Sequence, residues 1–230
     1  MIASGARSWP CVAALLLLTA CAESDPEPNP DGAAGAAGGA GLELPYALSV
    51  EAFEPGASAG FGADLLPEVV LGPPSGKGNA AGSLDVLSLG AGGHIVLGFG
   101  ERVIADGPGA DFVVFENAFW PGGDPSKVFA ELGEVSVSDD AETWHAFPCD
   151  RAGDGSGNFP GCAGVTPALE YDASRLIPLD PAQSGGDAFD LAELGLPSAR
   201  YVMIRDLETL QAAGNTGGFD LDAVGIIEHR

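Results

Sequence analysis

The 230-residue chain carries 33 Asp and Glu against 9 Lys and Arg, a net charge of −24, together with 35 Gly and 18 Pro. So acidic a surface excludes nucleic acid as a partner, because phosphates are held by basic patches. It suits a secreted chain that takes up divalent cations, although acidity also serves solubility alone.

The amino terminus reads as a leader. Arg7 precedes the apolar run Val12-Ala-Ala-Leu-Leu-Leu-Leu18, which is too short to cross a bilayer, where about 20 residues are needed. It has the length of a secretory signal core, over residues 1–20. The following Leu18-Thr-Ala-Cys21 resembles the lipobox of bacterial lipoproteins. That resemblance implies lipidation of Cys21, a bilayer anchor and, with Ala22 next, the outer membrane. The alternative is an ordinary cleavage site beside Cys21, leaving a secreted protein.

Residues 21–41 read as a tether: prolines spaced by acids, then only Gly and Ala, neither of which builds a core. Glu27-Pro-Asn-Pro-Asp-Gly32 imitates the opening of a calcium loop, but Gly38 stands where the closing Glu belongs. Residues 42–230 are enough for one domain with a substantial core. Short strands bounded by Gly, Pro, Asn or Asp are predicted at 83–89, 94–99, 111–117, 134–138, 143–148, 200–206 and 221–228. Many short strands with turn signals and little helical periodicity predict an all-β, antiparallel β-sandwich with long Gly/Pro-rich loops.

Within it, Val135-Ser-Val-Ser138 alternates with the period of a half-buried strand, and Asp139-Asp140 supplies turn chemistry. Trp144 and Tyr201, both in predicted strands, are expected in the core. A single helical turn is expected at Leu191–Leu194 with Asp190 as its cap. Cys149 and Cys162 remain as an even pair, expected in an oxidising envelope to form a disulfide around a glycine-rich loop; a two-cysteine metal site is the weaker reading.

Three segments carry a further resemblance. Val135-Ser-Val-Ser-Asp-Asp-Ala-Glu-Thr-Trp144, Ala199-Arg-Tyr-Val-Met-Ile204 and Phe219-Asp-Leu-Asp-Ala-Val-Gly-Ile-Ile-Glu228 resemble, in order and spacing, discoidin and coagulation-factor type C domains. Asp106-Gly-Pro-Gly-Ala-Asp-Phe-Val-Val-Phe-Glu-Asn117 and Gly217-Gly-Phe-Asp-Leu-Asp222 resemble a group of uncharacterised bacterial cell-surface proteins. The likeness spans residues 67–228. It implies a galactose-binding-like jelly roll, used more often for binding than for catalysis, often with a calcium ion near the last strand.

The chemistry-bearing candidates are acids beside glycines. Glu116, Asn117, Asp187, Asp190, Asp220 and Asp222 are expected as calcium ligands, because calcium takes six to eight oxygens from carboxylates, carbonyls and water. Asp220 and Asp222 share one side of an extended strand. The competing reading is that these acids cap turns. Trp120, Phe119 and Arg205 are candidates for contacting a glycan, the aromatics as platforms in Gly/Pro-rich segments. No zinc-protease helix motif is present. The expected function is therefore non-catalytic binding of a glycan or polysaccharide with calcium as structural support. A structural or adhesive module for other envelope proteins is the alternative, and a glycoside hydrolase-like enzyme the third reading.

Overall fold

The computed structural model of the chain describes residues 44–169, 179–208 and 218–229. The proposed leader, the tether and the Cys21 lipidation site lie outside these residues. The compact unit spans Leu42–Arg230. Among the described residues no helix is long and apolar enough to cross a membrane.

The described strands, in chain order, are β1 (Ser49–Glu54), β2 (Leu87–Ser88), β3 (His94–Gly98), β4 (Ile104–Ala105), β5 (Phe112–Glu116), β6 (Gly133–Ser138), β7 (His145–Ala146), β8 (Cys162–Ala163), β9 (Asp187–Phe189), β10 (Ser198–Ala199), β11 (Tyr201–Asp206) and β12 (Asp220–Ile226). One sheet runs β1-β3-β11-β6-β7, with β8 also on β6; a second runs β2-β12-β5-β9, and β10 pairs with β4 as a separate two-stranded ribbon. Every pairing is antiparallel. The molecule is an all-β sandwich, as expected.

Period-two alternation explains the core. Val135 and Val137 of β6, Val202 and Ile204 of β11 and Ile95 and Leu97 of β3 form one wall. Phe112 and Val114 of β5, Phe189 of β9 and Leu221 and Val224 of β12 form the other. The intervening Val113 and Phe115 of β5 are also buried, under Tyr46, Ala168 and Leu179. A strand covered on both faces reads as an unbroken apolar run, which is why Phe112–Phe115 does not alternate. Glu116 continues the row of Phe112 and Val114, so parity directs it between the sheets.

Each predicted strand overlaps an observed one: 83–89 contracts to β2 and 143–148 to β7, whereas β6 and β12 begin one residue earlier than predicted. The expected turn at Leu191–Leu194 is a 3-10 turn, and Asp190 accepts from the backbone N–H of Ala192. Asp139-Asp140 forms the turn after β6; Asp140 accepts from the N–H of Glu142 and Thr143, which hold its carboxyl down at about 2. β1 escapes sequence reading because a bulge between Val50 and Ala52 breaks its alternation.

Two aromatic assignments need correction. Trp144 lies before β7 rather than in it and is half-buried, as is Tyr201. The buried aromatic of this hairpin is Phe147, whose backbone N–H bonds Val135 and whose ring meets Phe112 and Phe189 at 5.9 and 4.9 Å. β7 is too short to carry Trp144 into the core, and the chain turns inward three residues later.

Cys149 and Cys162 form the expected disulfide, which closes the loop between β7 and β8. Replacing both by Ser should lower stability by about 3 kcal/mol in the chain-entropy model for a loop of this length. Phe112→Ala, which removes a fully buried ring stacked on Phe189 at 5.2 Å, should cost about 3–5 kcal/mol. Urea unfolding checks both; a loss under about 1 kcal/mol for Phe112→Ala would contradict the placement of the core.

Candidate functional site

Three neighbouring strand ends bring acids together. Asp220 at the start of β12 pairs with Ser88 of β2, and Leu221 with Glu116 of β5. The Ser88 hydroxyl donates to the Asp220 carboxylate, and the backbone N–H of Asn117 donates to the Asp220 carbonyl at 3.2 Å. A bulge between Leu221 and Ala223 re-aims β12 beside these groups.

Glu116 is 1% exposed. Its Oε2 and the Oδ1 of Asn117 are the two deeply buried side-chain oxygens without a hydrogen-bond partner among the described residues. Buried polar atoms are rarely left so. Burial pushes the Glu116 carboxyl well above the usual range, and the charges of Asp220, Glu131 and Asp187 add to the rise; the backbone N–H of Asp220 opposes it. The cleft beneath, lined by Glu116, Asn117, Gly82 and Asp222 among others, has about 170 Å³ of empty space but no room for a water-sized sphere. Lys77 lines the same cleft and forms no ion pair among the described residues. A Cβ at Gly82 would lie 2.5 Å from Asn117 Oδ1, so glycine is what lets this loop close over the amide.

The remaining acids divide by what they accept. Asp187 takes three backbone N–H groups, from Gly164 at 2.7 Å and from Val165 and Thr166 at 3.0 Å. Burial still pushes it up to about 6. Asp222 receives the Ser75 N–H on both oxygens, at 2.9 and 3.0 Å, and burial raises it to about 7. Asp206 takes Gly92, Glu208 and Phe219 at 2.8–3.0 Å. These side chains close loops, which is the turn-capping reading. Glu131, absent from the sequence expectations, is buried and raised to about 8, by burial first and then by Asp220 and Asp206.

Asp190 stands elsewhere. Its carboxylate lies within 4.8 Å of those of Asp106 and Asp111, but Asp190 caps the 3-10 turn. Asp111 accepts from Gly107 and Leu191 at 2.9 and 2.7 Å and sits 2.8 Å from His229 Nε2. Hydrogen bonds account for Asp111 and Asp190 without an ion.

Of the glycan candidates, Phe119 stacks on Phe129 at 5.0 Å and pins the loop. Trp120 lines an open cleft of about 190 Å³ with Ser156, Asn158 and Thr166. Arg205 is exposed on β11, level with His94 and Glu134, and lines neither this cleft nor the next. A second groove, of about 400 Å³, has Asn117, Asp220 and Ser88 in its lining, with Phe61 and Leu84. Ser88 and Phe61 carry no sequence signal: a serine between leucines and a phenylalanine between glycines become site residues only through strand pairing. No protein-family model matches the chain, and no curated protein sequence matches it.

The buried acids set a pH dependence. In the metal-free chain Glu131, Asp222 and Asp187 keep protons up to about 8, 7 and 6, whereas the unfolded chain releases them near 4. The folded state then binds more protons, so stability falls as pH rises through that window. Urea midpoints measured in EDTA should drop between pH 5 and pH 8.5. A rising midpoint would contradict the assignment.

Proposed function

We propose that the chain is a lipid-anchored cell-surface protein whose galactose-binding-like sandwich is a non-catalytic module for a glycan or polysaccharide, supported by calcium. The observation that carries this reading is Glu116 Oε2, buried without a partner, its carboxyl raised by that burial first and then by the neighbouring acids. An isolated buried carboxylate is costly; it takes up a proton or pairs with a cation. Calcium suits an all-oxygen set, and its oxygens sit at about 2.3–2.6 Å, closer than hydrogen-bonded water. It therefore needs less room than the water that the cleft excludes.

Of the six proposed ligands, Glu116, Asn117 and Asp220 form one set. Asp187 and Asp222 are held by backbone donors beside it and lend it negative charge, and Asp190 belongs to a separate turn. A raised carboxyl also marks a general acid. Glu116, however, faces a cleft too tight for a water-sized sphere, which gives a glycosidic bond no approach to Oε2. The Trp120 cleft supplies the aromatic face and amide that sugars use. The lipobox-like Leu18-Thr-Ala-Cys21 supports the anchor.

Calcium added to the EDTA-treated full chain should raise its melting temperature, by about 2.7 kcal/mol of stability at a hundredfold excess over Kd. Printed glycans should capture the protein in calcium. A melting temperature indifferent to calcium would sink the metal; a calcium-stabilised protein that captures no glycan would favour the adhesive reading.

A further inference from the structure

We propose that the surface around Phe61, Leu65 and Leu84 is a docking site for a segment of another protein in which Lys or Arg alternates with apolar side chains.

Three of the four large hydrophobic side chains that stand exposed among the described residues gather here: Phe61 is 51%, Leu65 53% and Leu84 81% exposed. Phe61 and Leu84 line the groove of about 400 Å³, with Val86. Leu65 and Asp85 line a second groove, of about 500 Å³, so the segment Leu84-Asp85-Val86 runs between the two. Apolar groups that cluster on a surface, rather than scatter, mark a place that a partner covers.

The cluster is held in place before any partner arrives. The Phe61 carbonyl accepts the Ser88 N–H at 3.0 Å, and the Leu65 N–H donates to the Gly62 carbonyl at 2.9 Å. Gly62 has a φ of 75°, and a Cβ there would lie 2.1 Å from the Val86 carbonyl oxygen. Only glycine lets the turn that carries Phe61 and Leu65 lie against the segment that carries Leu84. A surface fixed in this way loses little freedom on binding.

Charge decides what covers it. Every charged side chain in the two linings is an acid: Asp220 in the first groove, and Asp64, Glu68 and Asp85 in the second. Asp64 and Glu68 have no hydrogen-bond or ion-pair partner among the described residues, unlike the acids that close loops. Their charge is left to the surface. An apolar patch rimmed by free carboxylates complements Lys and Arg, whose stems lie along apolar groups while the charged end reaches an acid. A second copy of a chain with net charge −24 would set acid against acid, and an anionic bilayer is repelled likewise. None of Phe61, Leu65, Leu84, Asp64 and Glu68 is a proposed calcium ligand, so the surface serves with or without the ion.

Fluorescence anisotropy on the full chain at physiological ionic strength tests this, with labelled peptides that alternate Lys and Leu, Lys and Ser, or Glu and Leu. The Lys–Leu peptide should bind at least tenfold more tightly than the Lys–Ser peptide, and the Glu–Leu peptide should not bind. Phe61→Ser with Leu84→Ser should weaken Lys–Leu binding at least tenfold at an unchanged melting temperature. Leu84→Ser, the most exposed position, carries the test alone if the pair is unstable. Asp64→Asn with Glu68→Gln should weaken binding about threefold and flatten its salt dependence. Glu142→Gln with Glu193→Gln, an equal charge change at exposed positions outside both grooves, should leave it unchanged.

Equal binding of the Lys–Leu and Lys–Ser peptides, or equal weakening by the two pairs of acid variants, would reduce the effect to net charge and overturn the docking site. Absence of peptide binding would do the same. A self-associating chain made monomeric by the Phe61 and Leu84 variants would give the surface to a second copy, and variants that lose glycan capture but keep the peptide would give it to a sugar; either result overturns the proposal.

Discussion

The pairing of Phe112–Glu116 with Asp220–Ile226 is the interaction on which the rest of the molecule depends. It closes the middle of one sheet and supplies the inner wall that meets Val135, Val137, Val202 and Ile204. The same alternation that sends Phe112 and Val114 into the core sends Glu116 after them. A polar residue at the end of an apolar row lies where water cannot reach it, so its carboxylate needs a partner other than solvent. The packing that stabilises the sandwich therefore creates the chemical demand at its end.

How the protein meets that demand elsewhere is instructive. Asp111, Asp187, Asp206 and Asp222 are buried, and each is matched by backbone N–H groups of a loop. Here acids substitute for the secondary structure that Gly- and Pro-rich loops lack, which accounts for much of the acidity. Glu116 and Asn117 break the pattern, since Oε2 and Oδ1 meet no donor. A donor-rich solution exists a few residues away and is not used here, and this contrast gives the site its weight.

Much of the scaffold was legible in the sequence because β-sandwich signals are local. Alternation at 135–138, turn acids at 139–140, the Asp190 cap and the paired cysteines each depend on near neighbours. Trp144 and β1 misled for the same reason: a two-residue strand and a bulge shift parity, and parity is all that a pattern reports. At the site, Glu116, Asn117 and Asp220 were readable as acids or an amide at the ends of predicted strands. Their separation from Asp190, and the presence of Ser88 and Glu131, were not, because these follow from strand pairing across more than a hundred residues. Composition likewise cannot distinguish an acid that caps a loop from one that waits for a cation.

On the calcium proposal, Glu116 is charged in the working protein because a cation lies against it. Equilibrium dialysis of the EDTA-stripped full chain against radioactive calcium, beside Glu116→Gln, reads this. One ion retained per chain is expected, and none, or at least tenfold weaker retention, in the variant. Equal retention by both proteins, or none by either, would contradict it.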